Sequence, residues 1–242
     1  MTVLLGLEAR LRLARLYLCT DAREGQGDLA DFLRAAFAGG VDIVQIRHPG
    51  MSPEAELEAL ETAREAAGDR GIVCVNESPK RAGDFAADML HLGQDDPSAR
   101  RARKHLHEWA LIGRSAHTRA QLDQALADPD VDYLSIGPVH ATPIEPRQPP
   151  IGLELIRRAA QAAPVFAPES KPWFAVGGID ADNLDTVIEA GARRIVVVRA
   201  LTEASDPTAA ARQLRSRLQQ AWRADPASER YAIQAAAGGL TR

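Results

Sequence analysis

The chain is poor in several of the residues from which function is most easily read. It has two cysteines, three methionines and 5% aromatic residues in 242, and its only lysines are Lys80, Lys104 and Lys171. Two cysteines are too few for a disulfide framework or a zinc knuckle. Cys19 and Cys74 both fall inside apolar runs, LYLCT and GIVCVN, and read as buried free thiols suited to a reducing cytoplasm. Positive charge is not in surplus: the net charge is −4, which gives no electrostatic footprint for nucleic acid. No apolar run reaches membrane-spanning length, and MTVLLGLEAR has too short an apolar stretch and the wrong flanks for a signal peptide. The expectation is a soluble, cytoplasmic protein with neither nucleic acid nor membrane as a partner. Repeats of fixed period are also missing.

What the chain does have is an alternation of strand and helix signals. Short apolar runs that read as strands occupy 16–20, 43–47, 72–76, 89–92, 111–115, 133–138, 173–177 and 195–198. Helical patterns lie between them, such as Leu29, Phe32, Leu33, Ala36 and Phe37 on one face, or Leu184, Val187 and Ile188 stopped by Gly191. Eight such units in 242 residues match the typical ~250 residues of an α/β fold of the (β/α)8 TIM barrel type, with an open doubly wound sheet as the alternative. Residues 1–222 are expected to form this one domain. From 223 to 242 the text RADPASERYAIQAAAGGLTR loses periodicity and reads as a loose tail.

In a barrel the chemistry sits where strands end, so the polar residues closing each apolar run are the candidates. FAVGGID puts Gly177 and Gly178 at the turn after the seventh strand, and VVVRAL ends the eighth, so their backbone N–H groups can converge on a phosphate. A glycine pair also serves any tight turn. Glu77 and Asp96 follow neighbouring strands and could hold Mg²⁺, a hard cation that prefers oxygen ligands, with Arg47 on the adjacent strand as an anion ligand. The same acids stand before helix-start texts, where carboxylates commonly cap. His117, in IGRSAHT, is placed for acid-base work; His140 and His91 are weaker candidates, with His91 expected to pack within its strand. The basic run Arg100, Arg101, Arg103, Lys104 reads as a solvated helix face.

The segments LYLCTDAR, AGGVDIVQIR, VN at 75–76, LHLGQDD, IGRSAHT, DYLSIGPVHATP, WFAVGGID and EAGARRIVVVRA together resemble the thiamine phosphate synthase family, which includes the thiazole tautomerases. The resemblance runs from about residue 16 to 220. It implies a (β/α)8 barrel that joins an aminopyrimidine methyl diphosphate to a thiazole phosphate, with Mg²⁺ as cofactor and pyrophosphate as leaving group. Its partners would be those two small phosphorylated molecules, with a homo-oligomer left open. Carried onto this chain, the resemblance places Gln45, Arg47 and Asn76 at the pyrimidine diphosphate and Glu77 with Asp96 at the metal. Ser115 and Thr142 would serve substrate binding, while Gly178 and the Val198 and Arg199 amides would hold the thiazole phosphate. Arg47, Ser115 and His117 are the candidate catalytic groups.

The chain departs from the family pattern at three places. After the second strand Q-x-R-x-K becomes Gln45, Ile46, Arg47, His48, Pro49, so proline replaces lysine. N-D becomes Asn76-Glu77, which keeps the charge on a longer arm. T-x-T-K becomes Thr142, Pro143, Ile144, Glu145, which exchanges a cation for an anion. Arg147, in PIEPRQPPIG, is the nearest replacement cation. These changes predict a synthase weakened at its diphosphate, with two alternatives: a tautomerase using His117, or a non-catalytic binder of a phosphorylated thiamine precursor.

Overall fold

The computed structural model describes residues 5–143 and 148–238. Eight strands close into a barrel in sequence order, every neighbouring pair parallel. They are β1 (Leu16–Thr20), β2 (Ile43–Ile46), β3 (Ile72–Asn76), β4 (Met89–Leu92), β5 (Leu111–Ala116), β6 (Tyr133–Ile136), β7 (Trp173–Val176) and β8 (Ile195–Val197). The expected strands all form, to within two residues at their ends. The helices are α1 (Leu7–Leu13), α2 (Leu29–Gly39), α3 (Pro53–Ala67), α4 (Pro79–Asp84), α5 (Ala99–Ala102), α6 (Arg119–Ala127), α7 (Glu154–Ala162), α8 (Leu184–Glu189), α9 (Arg199–Thr202), α10 (Pro207–Arg223) and α11 (Ser228–Ala236). The closed order removes the open doubly wound sheet from consideration.

Helix starts follow local chemistry. Ser52, Ser78 and Asp206 each cap a helix whose first residue is proline: the cap oxygen accepts an early N–H, and the ring fixes φ where no N–H is needed. α2 ends on Gly40 at φ 103°, in the left-handed region that glycine reaches most cheaply.

Strand side chains alternate between two buried layers. Leu16, Leu18, Val44, Ile46, Val73, Val75, Leu90, Ile112, Leu134, Ala175 and Ile195 pack outward against the helices. Tyr17, Cys19, Ile43, Ile72, Cys74, Met89, Leu111, Tyr133, Phe174 and Val196 form a separate interior cluster, closed by Leu7 and Leu11 of α1. Going up each strand by twos, that interior set turns polar: Ile43 to Gln45, Cys74 to Asn76, Met89 to His91, Tyr133 to Ser135. This change of character is what converts the upper end of the barrel from core into a cavity.

The loose tail expected after 222 is not what forms over 228–236. α11 is a helix whose Tyr231 and Ala235 are buried against Trp222 and Phe166. Its Tyr231 hydroxyl, 3.2 Å from Arg194 Nη2, accepts from that fully buried guanidinium, which also donates to the Arg12 carbonyl at 2.8 Å and lies 5.1 Å from the Trp222 ring centre. The docking partners are 9, 37 and 65 residues distant, so local periodicity carried little of the signal. Tyr231→Ala is expected to lower the unfolding free energy by about 3 kcal/mol, from an aromatic cavity plus a stranded cation. Urea denaturation checks this; a loss under about 0.5 kcal/mol would mean that α11 does not dock.

Candidate active site

The strand ends surround one cavity of about 820 Å³ at the C-terminal end of the barrel. The leading sequence-derived site residues line it, namely Gln45, Arg47, Asn76, Glu77, Asp96, Ser115, His117, Thr142, Gly178, Val198 and Arg199, as does His91, whereas the weaker candidate His140 does not. Pro49 is exposed beyond β2 and does not line it. Ile144, Glu145 and Arg147 lie outside the described residues.

On the β2–β5 side, Gln45 is buried and held by Cys19 Sγ donating to its Oε1 at 3.2 Å and by its own Nε2 donating to the Tyr17 hydroxyl at 3.1 Å. Arg47 follows β2, its backbone N–H fixed on the Thr20 carbonyl at 2.8 Å. Glu77 is not the helix cap, since Ser78 takes that role. Glu77 instead sits at φ 62°, in left-handed backbone that costs a non-glycine residue about 1–3 kcal/mol and recurs at functional sites. Asp96 does not cap a helix either. Its Oδ2 accepts from Gly93 N at 2.6 Å, and the surrounding turn is fastened to β5 by Arg114, which donates to the Gln94 and Pro97 carbonyls at 3.2 and 3.0 Å.

Burial raises the Asp96 pKa above the usual carboxylate range, with the nearby Glu77 charge adding to the shift. Two carboxylates that resist sharing one place are suited to a cation between them. Among the described residues no cluster of three or more His, Cys, Asp or Glu side chains could hold a metal. A pair of carboxylate donors fits Mg²⁺, which keeps several waters and completes its shell with phosphate oxygens.

Ser115 meets His91, whose Nε2 lies 2.9 Å from the serine Oγ. His91 is therefore not merely packed, contrary to the sequence expectation. Burial, with smaller contributions from the Arg114 and His117 charges, pushes its pKa down to about 4, so it is neutral near pH 7. The missed signal was its place two residues above interior Met89, on the side that faces the cavity. His117 turns Nδ1 to the Gly137 carbonyl at 2.6 Å, a contact that puts the proton on Nδ1 and leaves Nε2 as the acceptor in the neutral ring.

Across the cavity, Gly177 and Gly178 have φ of 106° and 61°. Their turn is zipped to the loop after β6 by Val139 N–H to the Val176 carbonyl at 2.8 Å and His140 N–H to the Gly177 carbonyl at 3.0 Å. A Cβ on Gly177 would stand 2.4 Å from Pro138, so this turn requires glycine for space as well as for φ. α9 opens at Arg199, and the free N–H groups of a first helical turn are aligned for an anion.

A closed parallel barrel with its polar face at the strand C-termini defines the class, a (β/α)8-barrel enzyme. The family model described as thiamine monophosphate synthase matches residues 16–201. The thiamine-phosphate synthase of Thermobifida fusca is 52% identical over 213 residues, covering 88% of this chain and 95% of that protein. That of Mycobacterium leprae is 49% identical over 225 residues, 88% of this chain and 94% of its own. Among solved structures, thiamine phosphate pyrophosphorylase from Pyrococcus furiosus superposes with a TM-score of 0.74 at 26% identity, covering 89% of this chain and 99% of that one. The chain belongs to the thiamine monophosphate synthase family.

The turn after β7 yields a direct test of this geometry. Gly177→Ala combines an unfavourable φ with a backbone clash and is expected to cost about 2 kcal/mol or more. Thermal denaturation with and without thiazole phosphate should show both a lower Tm and a smaller ligand-induced rise. An unchanged Tm would mean that the turn relaxes freely.

Proposed function

We propose that the chain is a thiamine-phosphate synthase acting in the cytoplasm, an assignment carried by about 50% identity to synthases along 88% of its length. The methylene carbon of the aminopyrimidine leaves its diphosphate oxygen and bonds to the thiazole ring nitrogen, giving thiamine phosphate and pyrophosphate. Gln45, Arg47 and Asn76 stand at the diphosphate-bearing pyrimidine, with Arg47 offering a planar two-pronged donor to phosphoryl oxygens. Gly178 and the head of α9 receive the thiazole phosphate, which sets the nucleophile opposite the leaving group. Ser115 and Thr142 orient the rings between them. Two buried thiols that form no disulfide fit a reducing compartment.

Glu77 and Asp96 would hold Mg²⁺, which supplies charge neutralisation to the departing pyrophosphate. Asp96 gives a pH test. Its raised pKa means that the folded protein holds this proton more tightly than the unfolded chain does. It therefore favours folding at low pH, and that contribution falls as pH rises from the ordinary carboxylate value through the raised one. Metal-free Asp96→Asn should melt above wild type at pH 8, and the difference should vanish in acid. Adding MgCl2 with pyrophosphate should raise the wild-type Tm and leave the variant's unmoved; equal rises in both would remove Asp96 from the metal site.

Proline at position 49 leaves the leaving group short of one cation. A charge-assisted contact contributes roughly 1.5–3 kcal/mol, or about 10- to 150-fold in rate if it acts on the transition state. Pro49→Lys should raise kcat/KM by about 10-fold or more, and Pro49→Lys with Glu145→Lys should raise it further. Both are measured as thiamine phosphate formed at fixed ionic strength. Brisk wild-type turnover with no gain from either lysine would show the losses compensated. Absence of product in every variant would overturn the synthase assignment.

A further inference from the structure

The cavity floor carries a hydrogen-bond circuit for which substrate contact alone gives no reason. Ser115 Oγ lies 2.9 Å from His91 Nε2, and His91 Nδ1 lies 3.1 Å from the Tyr133 hydroxyl. That hydroxyl is 3.6 Å from Cys74 Sγ, which Gln45 Nε2 approaches at 3.7 Å while donating to Tyr17 at 3.1 Å. Buried Gln45 on β2 and half-buried Ser115 on β5, both offered to the pyrimidine, are thus joined through β3, β4 and β6.

A neutral imidazole has one proton for two nitrogens, so what happens at Nδ1 dictates what Nε2 offers Ser115. Where the tyrosine hydroxyl donates to Nδ1, Nε2–H points at Ser115 Oγ and the serine proton turns to the cavity. Where the hydroxyl accepts from Nδ1–H, Nε2 accepts a hydrogen bond from the serine O–H and an oxygen lone pair faces the ligand. Tyr133 has no freedom to leave this position. Its side chain is fully buried, its ring meets Phe174 edge-on at 6.1 Å, and it fills the space above Gly113, where an added Cβ would lie 2.1 Å from its Cζ.

We propose that Tyr133 is a positioning residue that selects the His91 tautomer and, through it, the direction in which the Ser115 hydroxyl meets the aminopyrimidine. The ligand in this statement rests on the synthase assignment; the tautomer does not. An aminopyrimidine presents ring-nitrogen acceptors beside an amino donor, so a serine of fixed polarity tells one edge from the other. Nitrogen-15 NMR of histidine-labelled protein reads the tautomer directly. Wild type should show His91 in a single tautomer, and Tyr133→Phe, which keeps the ring and loses the hydroxyl, should shift it to a mixture.

In kinetics, Tyr133→Phe should raise KM for the pyrimidine diphosphate by about 5- to 20-fold and leave KM for thiazole phosphate unchanged. In a Ser115→Ala background the same substitution should add nothing further, because its route of action is gone. A mixed tautomer in wild type, an unaltered His91 in Tyr133→Phe, or losses that multiply in the double variant would each overturn the proposal. Should wild type form no thiamine phosphate, the synthase assignment fails, and the His91 spectrum still decides the role of Tyr133.

Discussion

Strand alternation in a closed barrel is the constraint on which the rest depends. With every strand parallel to its neighbours, residues two apart point to the same side, and the interior positions of eight strands fall into shared levels. The chain fills the lower levels with Ile43, Ile72, Met89, Leu111 and Phe174, and the upper ones with Gln45, Asn76, His91, Ser115 and Ser135. One residue of slip in any strand would send its polar group outward into the helix layer and an apolar one into the cavity. Fold and site are therefore specified by the same register.

The loops add what alternation cannot. After β7, two left-handed glycines bend the chain sharply enough to bring the turn against the β6 loop, and after β8 a short helix begins at Arg199. After β4, the Arg114 guanidinium ties a non-repetitive turn to β5 and so fixes where Asp96 stands. The two ends of the cavity differ in kind. One presents the backbone of two glycines and the start of a short helix, the other the side chains of Arg47, Glu77 and Asp96.

Much of this was legible in the sequence because the informative residues are local. Apolar runs of four to six with polar ends marked all eight strands, and the polar ends marked the cavity lining. The failures share a physical cause, dependence on distant partners. α11 lacks a strong pattern of its own and is held by Phe166, Trp222 and Arg194. His91 looked like packing because its partners, Tyr133 and Ser115, come from two other strands. Glu77 and Asp96 stood before good helix-start texts, and only the observed bonding of Ser78 and Gly93 shows that neither acid caps a helix.

The two ends of the described chain meet on the face opposite the cavity. α1 closes the underside of the barrel with Leu7 and Leu11, and α11 packs against α1 while covering Arg194. An attachment made on α1 or α11 would thus hold the protein by its base with the mouth facing solution. The same proximity means that a short linker could join α11 to α1, with new ends cut in an exposed helix connection.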